Sequence, residues 1–281
     1  MTTATAHWSP GQVESLRALA GADARRYARH PLYLLAVGVL LFSLARGIGT
    51  QQPTRIGIEE TLAPAFLLGV FGFVVAHRLA TSLRRTGDLA DTAPVTSQRR
   101  TAALCVACLV PMVTAAVVVL VLVVTASVWP PTLPGGHVAW FGYEPSSAVW
   151  GALIGDVVLA ALGGPLLGVA VARWAPFRGS ALLGMVALTS VAILAQVVPS
   201  PWYAFSPWVI FSDENVVGGE YQTSSLLETV APLWWCGYAA CLCALAGVAA
   251  LLRDPGHRGR LLATGAVLVS VGVGFVLVAV S

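Results

Sequence analysis

The sequence predicts an all-α, polytopic integral membrane protein with six or seven transmembrane helices and an N-terminal interfacial amphipathic helix. Of its 281 residues, 57% are hydrophobic and only 10% are charged, and the mean hydropathy is +0.79. A soluble domain carries roughly 25% charged residues, so this chain has too few to cover a globule. Strand-type alternation is also absent. These observations exclude an ordinary soluble enzyme and a nucleic-acid-binding module.

The apolar residues lie in blocks, and each block approaches the roughly 20 residues that cross a bilayer as a helix. The blocks cover residues 31–48, 62–81, 102–126, 148–172, 180–198, 230–252 and 261–280. We therefore expect residues 31–281 to form one transmembrane domain that follows a cytoplasmic N-terminus, residues 1–30. Because one block could be re-entrant, six spans are an alternative to seven.

The arginines indicate the orientation of the chain in the membrane. All 16 basic residues are arginines, and arginine concentrates in the cytoplasmic loops of membrane proteins. With a cytoplasmic N-terminus, every arginine except Arg46 and Arg55 falls on the inner side of the predicted spans. We expect a multi-pass protein of a bacterial cytoplasmic membrane with its N-terminus inside the cell.

Residues 11–30, before the first span, place apolar side chains on one helical stripe and four arginines mostly off it. The arginines are Arg17, Arg25, Arg26 and Arg29. An amphipathic basic helix beside a membrane usually lies in the interface plane. A simple positive-inside anchor is an equally good interpretation. His30-Pro31 would end this helix before the first span.

The longest inner loop, residues 82–101, reads SLRRTGDLADTAPVTSQRRT. Arginine pairs close both ends, and two acids lie between them. Gly87-Asp88 can begin a short helix, and Pro94 would end it. A short helix held between two spans suits the docking of a soluble partner, and a plain connecting loop is the alternative. On the outer side, residues 199–229 begin with an aromatic, proline-broken stretch for which we expect a re-entrant or interfacial helix.

Asp156 is the acid that lies well inside an apolar block. An intramembrane carboxylate is costly and indicates a functional site by default. It could bind a cationic substrate, pair with Arg46 or carry a proton, and the alternative is an acid that faces a wet vestibule or is capped by a neighbouring helix. Gln196, near the outer end of the fifth block, is a second possible pathway residue, although an interhelical hydrogen bond explains it more simply.

Catalytic and metal-binding motifs are not found in the sequence. The five cysteines, Cys105, Cys108, Cys236, Cys241 and Cys243, lie in the third and sixth blocks, where packing explains them better than a metal or a thiol relay. No GxxxxGK[ST] phosphate loop is present. No Ser–His pair is expected at matching depth in the spans. We therefore expect no metal, no cofactor and no catalytic residue in this chain.

The order of features between residues 78 and 111, RLATSLRRTGDLADTAPVTSQRRTAALCVACLVP, is informative. A span is followed by paired arginines, Thr-Gly-acid, Ala-Pro-Val and Arg-Arg before the next span begins. This pattern resembles the permease subunits of ABC-type-2 exporters. The opening ARRYARHPLYLLAVGVLLFSLA, residues 24–45, is similar to their basic connecting helix and first span. Residues 199–235 look like their outer re-entrant region.

The resemblance implies a connecting helix at 12–30 and a coupling helix at about 86–94 that contacts an ABC ATPase subunit. Eight residues are carried over to this coupling region. Gly87, Asp88, Asp91 and Pro94 would shape the helix, and Arg84, Arg85, Arg99 and Arg100 would anchor it. ATP and Mg would be bound by the partner ATPase. The family unit has six spans, so the block at 261–280 is a departure, an extra C-terminal span.

The resemblance also implies a function and partners. Two copies, or this chain with a related permease, would assemble in the lipid membrane and export an amphipathic, drug-like or lipid-like substrate. Nucleic acid is not expected as a partner. Two alternatives remain open from the residues alone: a proton-coupled carrier built around Asp156, and a motor-independent membrane channel or scaffold.

Overall fold

The computed structural model describes residues 10–49, 63–85, 96–128, 147, 150–151, 153–196, 202–207, 212–217, 220–225, 231–254 and 257–281. Regular structure in these ranges is helical apart from one short β-hairpin, so the predicted all-α class of the membrane part is confirmed. The α-helices are α1 (Pro10–Ala28), α2 (Pro31–Gly49), α3 (Phe71–Arg85), α4 (Ser97–Ala107), α5 (Leu109–Val128), α6 (Ala160–Trp174), α7 (Ser180–Gln196), α8 (Pro232–Leu252) and α9 (Arg258–Val280). One π-helical turn, Ala65–Val70, leads directly into α3, and another, Leu153–Leu159, leads directly into α6.

Several of these helices are long and apolar enough to cross a membrane. In the part of the chain that the structure describes, five segments have this property: Ala65–Ser82, Ser97–Thr125, Leu153–Trp174, Pro232–Leu252 and Arg258–Val280. Helices α1 and α2 would add a sixth segment if the pair, bent by 59°, formed one span. The apolar part of α7, Ser180–Leu194, is shorter. A multi-pass membrane protein is thus confirmed, and the predicted count of seven spans stays a prediction.

Proline accounts for two interruptions in the helices. His30 and Pro31 separate α1 from α2, and the His30 Nδ1 accepts a hydrogen bond of 3.3 Å from the backbone N–H of Leu32. Further along, α4 ends at Ala107, and Pro111 follows four residues later. A proline lacks the N–H that would bond to the carbonyl four residues earlier, and its ring crowds that carbonyl. The predicted third span is therefore two helical segments joined at Cys108.

The centre of the bundle is the contact between α3, with its preceding π-helical turn, and α6. Val75 and Ala76 of α3 and Val169 of α6 are fully buried. The backbones approach so closely that a Cβ atom at Gly164 would collide with the carbonyl oxygen of Gly69. A Cβ atom at Gly168 would likewise collide with the carbonyl oxygen of Phe73. Small residues permit such contact where lipid supplies no hydrophobic drive for helices to associate.

Helix α9 lies at the edge of the bundle and packs mainly against α8. Only 11% of the residues in its most apolar window are buried, against 67% for Leu153–Trp174. Its exposed side chains include Leu262, Val267 and Leu277, each more than half exposed. A continuous apolar face of this kind would cause aggregation in water, whereas a lipid environment is a suitable solvent for it.

The β-hairpin is a feature that the sequence analysis did not foresee. Strands β1 (Ser212–Val217) and β2 (Glu220–Ser225) pair in antiparallel fashion, with Val217 opposite Glu220. A short 3-10 turn, Trp202–Phe205, precedes them, and its Ala204 is buried. Both elements lie between α7 and α8, in the region 199–229, whose re-entrant or interfacial character stays a prediction.

The close contact between α3 and α6 gives a testable prediction. Gly168→Ala should lower the free energy of unfolding by about 1–3 kcal/mol, because the added methyl group must push the two backbones apart. Gly247→Ala is the matched control, since nothing lies within 4 Å of the Cβ position at Gly247. That variant should be neutral or more stable by up to about 1 kcal/mol. SDS titration in mixed micelles measures both, and equal effects of the two substitutions would contradict the packing described here.

Candidate functional site

The predicted coupling loop lies only partly within the described residues. Gly87, Asp88, Asp91 and Pro94 lie outside them. Arg84 and Arg85 are the last two residues of α3, whose backbone is described there, and Arg99 and Arg100 lie in the first turn of α4. The assignment of 86–94 as a coupling helix therefore stays a prediction, and the structure describes the two helices that it would join.

Helix α4 begins with a local cap. The side chain of Thr96 accepts a hydrogen bond from the backbone N–H of Arg99, at 3.4 Å. Such a cap satisfies one of the donors that a helix N-terminus leaves free. Ser97, the first residue of α4, lies within the predicted loop region 82–101, three positions after Pro94.

A buried ion pair ties the start of α4 to two other helices. Arg173, at the end of α6, donates from Nη2 to Asp254 Oδ1 at 2.6 Å and to Ser97 Oγ at 3.2 Å. Asp254 follows the end of α8, and the two charged side chains are only 15% and 11% exposed. Charge-assisted hydrogen bonds are stronger than neutral ones. We call these three residues the Arg173 cluster.

The neighbouring residue, Trp174, adds a second contact between α6 and α8. Its indole Nε1 donates to the carbonyl oxygen of Ala249 at 2.7 Å. The guanidinium carbon of Arg253 lies 5.7 Å from the centroid of the Trp174 ring, within the range of a cation–π interaction. The ends of α6 and α8 are therefore joined by polar contacts from two consecutive residues of α6.

Helix α1 covers most of the segment predicted to be amphipathic, and its amphipathic character stays a prediction. Ala20, Asp23 and Tyr27 are buried, and the helix packs mainly against α4. The four predicted arginines, Arg17, Arg25, Arg26 and Arg29, are exposed. Whether the helix lies in the interface plane stays a prediction. The connecting-helix assignment stays one as well.

Polar contacts fix α1 to α3. The Tyr27 hydroxyl donates to the carbonyl oxygen of Gly72 at 3.1 Å, and Arg26 Nη2 donates to Ser82 Oγ at 3.4 Å. Burial raises the pKa of the Asp23 carboxyl, and the positive charge of Arg26, 3.6 Å away, opposes that increase. The helix therefore contacts both α3 and α4, the two helices that flank the predicted coupling loop.

Asp156 lies in the π-helical turn Leu153–Leu159 and is only 1% exposed. Of the interpretations that the sequence left open, an acid facing a wet vestibule does not fit this burial. The nearby Cys236 thiol donates to the carbonyl oxygen of Gly151 at 3.5 Å. π-helical turns often occur at functional sites, so a carboxylate at this position remains a candidate to bind a proton or a cation.

Gln196, the second possible pathway residue, is the last residue of α7. Its side chain is not among those that the structure describes.

The cysteines behave as packing residues, as expected. All five are free thiols, and all except the half-buried Cys105 are buried. Cys108 donates to the carbonyl oxygen of Leu104 at 3.3 Å, and Cys243 donates to that of Leu159 at 3.4 Å. Among the described residues, no group of His, Cys, Asp and Glu side chains has the arrangement of a metal site.

One expectation is wrong: a Ser–His pair does occur at matching depth. His77 Nε2 and Ser180 Oγ are 2.8 Å apart, and both residues are buried. His77 is followed by Arg78, and Ser180 comes two residues after Arg178. These nearby arginines were the sequence signal that could have placed His77 and Ser180 at the same end of the bundle. With Ser180 only 2% exposed, the pair is an interhelical hydrogen bond between α3 and α7.

Comparison with known proteins adds no relative: no family model, curated protein or solved structure matches this chain. The fold by itself defines the class, a polytopic helical membrane protein. The resemblance to exporter permeases therefore depends on the residues between 78 and 111 and on the opening at 24–45.

The Arg173 cluster gives a second testable prediction. Arg173→Gln should lower the free energy of unfolding by about 1.5–3 kcal/mol, the range for a hydrogen bond to a charged group. Asp254→Asn should cost a similar amount, and the double variant should cost less than the sum, because both changes remove one interaction. Arg178→Gln is the control, since Arg178 is exposed and surface changes stay within about 0.5 kcal/mol. Strictly additive single effects would contradict the pairing.

Proposed function

We propose that this chain is the transmembrane permease subunit of an ABC exporter in a bacterial cytoplasmic membrane, with its N-terminus in the cytoplasm. A separate ATPase subunit, which binds ATP and Mg, drives transport. The observation that carries the proposal is the loop between α3 and α4, which has arginine pairs at both ends and the Thr-Gly-acid and Ala-Pro-Val order between them. In that family the corresponding loop is the contact with the motor.

The contacts around the loop are suited to transmitting a displacement of the loop to the transmembrane helices. A coupling helix at 86–94 would be joined to Ser97 through two residues, Val95 and the cap residue Thr96, and Ser97 is hydrogen-bonded to Arg173. Arg173 is in turn paired with Asp254. A displacement of the loop therefore acts on the ends of α4, α6 and α8 together. Helices that move as packed bodies provide the usual structural route for such a switch.

Transport requires a second permease, either another copy of this chain or a related one. One chain with this number of helices forms one wall of a pathway, and the substrate crosses between the two permeases. Closing of the ATPase dimer by ATP favours the outward-facing arrangement, because ATP binds that state more tightly. The predominantly apolar helices favour an amphipathic, drug-like or lipid-like cargo.

A proton-coupled carrier is the second candidate, and the burial of Asp156 favours it. An ionisable side chain that is 1% exposed inside an apolar helix is costly to keep unless it has a role. In a carrier, Asp156 would take up a proton on one side and release it on the other. No ATPase would be needed for transport of this kind.

The exporter proposal predicts a stable complex with an ATPase, best sought among the proteins encoded next to this one. Replacement of residues 86–94 by a Gly-Ser linker of equal length should abolish copurification of the ATPase, because the docking element is removed. The same replacement at residues 131–139, which lie between the third and fourth predicted blocks and on the outer side in the predicted orientation, should leave copurification unchanged. Retained association after the first replacement would overturn the docking assignment.

Asp156→Asn separates the two candidates. The amide keeps the size of the side chain and cannot release a proton at physiological pH. The exporter proposal predicts that ATP-driven transport persists, whereas the carrier predicts complete loss of uptake driven by a pH gradient. Glu14→Gln, at an exposed position in α1, is the control for loss of a carboxylate. Measurement of transport in proteoliposomes with each driving force decides between the candidates.

A further inference from the structure

The arginine-rich end of the bundle presents exposed cations and aromatic rings near the ends of two candidate spans. Trp174 ends one candidate span, and Arg253 follows the end of another, Pro232–Leu252. Four arginines here are exposed: Arg178, Arg253, Arg258 and Arg260. Trp174 and Phe177 are each 53% exposed. Helix ends of this composition lie among lipid headgroups.

Trp174 and Arg253 form a built element on this surface. The indole is fixed by the bond from its Nε1 to the carbonyl oxygen of Ala249, at 2.7 Å. The Arg253 guanidinium lies 5.7 Å from the centre of that ring. A guanidinium held by a ring face still has donors at its free edge, and these donors match two oxygens of a phosphate. The ring therefore fixes a cation whose donors remain available.

Within the described residues, the four exposed arginines at this end have no carboxylate partner. Asp254, the acid next to Arg253, is already paired with Arg173 at 2.6 Å. Among the described residues, no carboxylate lies within salt-bridge distance of the four exposed arginines; the ion pairs there are Asp254 with Arg173 and Asp23 with Arg26. A cluster of basic residues at the membrane surface attracts anionic lipid. The peripheral position of α9, which begins at Arg258 and is mostly unburied, leaves the cluster open to the lipid.

We propose that the Trp174–Arg253 element, with the neighbouring arginines Arg178, Arg258 and Arg260, binds the headgroup phosphate of an anionic phospholipid in the adjacent leaflet. Arg253 donates to the phosphate oxygens, the other arginines surround them, and the exposed rings of Trp174 and Phe177 contact the glycerol and upper acyl region. The site does not depend on the transport proposal, because it needs only a membrane on this side of the bundle.

Lipid titration of the purified full-length chain, followed by native mass spectrometry, tests the site. Phosphatidylglycerol should bind in preference to phosphatidylcholine, and Arg253→Gln should weaken phosphatidylglycerol binding about fivefold, the effect of one cation near an anionic surface. Trp174→Leu should weaken it as well, because Arg253 loses its support. Arg253→Lys should give an intermediate loss, since a lysine keeps the charge without the planar donors.

Arg78→Gln is the matched control, because Arg78 is exposed in α3 and belongs neither to α1 nor to the Trp174–Arg253 element. It should change phosphatidylglycerol binding less than twofold. An equal loss with this control would overturn the site in favour of general surface attraction, and unchanged binding by Arg253→Gln would overturn it outright. Competition with inorganic phosphate distinguishes a free anion site: displacement of the lipid by millimolar phosphate would contradict the proposal. Unaltered thermal unfolding of Arg253→Gln shows that the fold is intact.

Discussion

The fold depends on one constraint: within lipid, every backbone N–H and C=O must find its partner inside the protein. Helices satisfy this requirement within themselves, so the apolar blocks become helices. Because lipid supplies no hydrophobic force between helices, the bundle must be held by close contact and by a few polar bonds. The glycines of α6 provide the contact with α3. The bond between His77 and Ser180 is one of the polar bonds.

The same constraint favours charged side chains at the ends of the helices, and the arginines there are of two kinds. Arg173 is drawn inward and joins α4, α6 and the end of α8 through Ser97 and Asp254. Arg253 is exposed and lies over the Trp174 ring. Asp156 is buried in the π-helical turn Leu153–Leu159, and a carboxylate at such a position in a membrane segment is a candidate for a functional role.

The sequence predicted those parts of the fold that depend on short stretches of chain. Blocks of apolar residues predicted the helices of the bundle. The apolar stripe before Pro31 predicted a helix there, and its four arginines are exposed. Features that depend on two distant segments escaped prediction: the bond from His77 to Ser180, the pairing of Arg173 with Asp254, and the β-hairpin between α7 and α8. Pro111 could have indicated the interruption at Cys108, because its effect acts on a residue only four positions earlier. For the site, sequence order predicts a coupling loop at 82–101, whereas the bond between Ser97 and Arg173 required coordinates.

The central claim is that this chain transports a substrate only when an ATPase acts on it. Flux of an amphipathic dye in proteoliposomes that contain this chain and its partner ATPase measures this directly. The account predicts flux with ATP and Mg, and none when the ATPase is omitted or the nucleotide cannot be hydrolysed. Equal flux without the ATPase, whether passive or driven by a pH gradient, would contradict it.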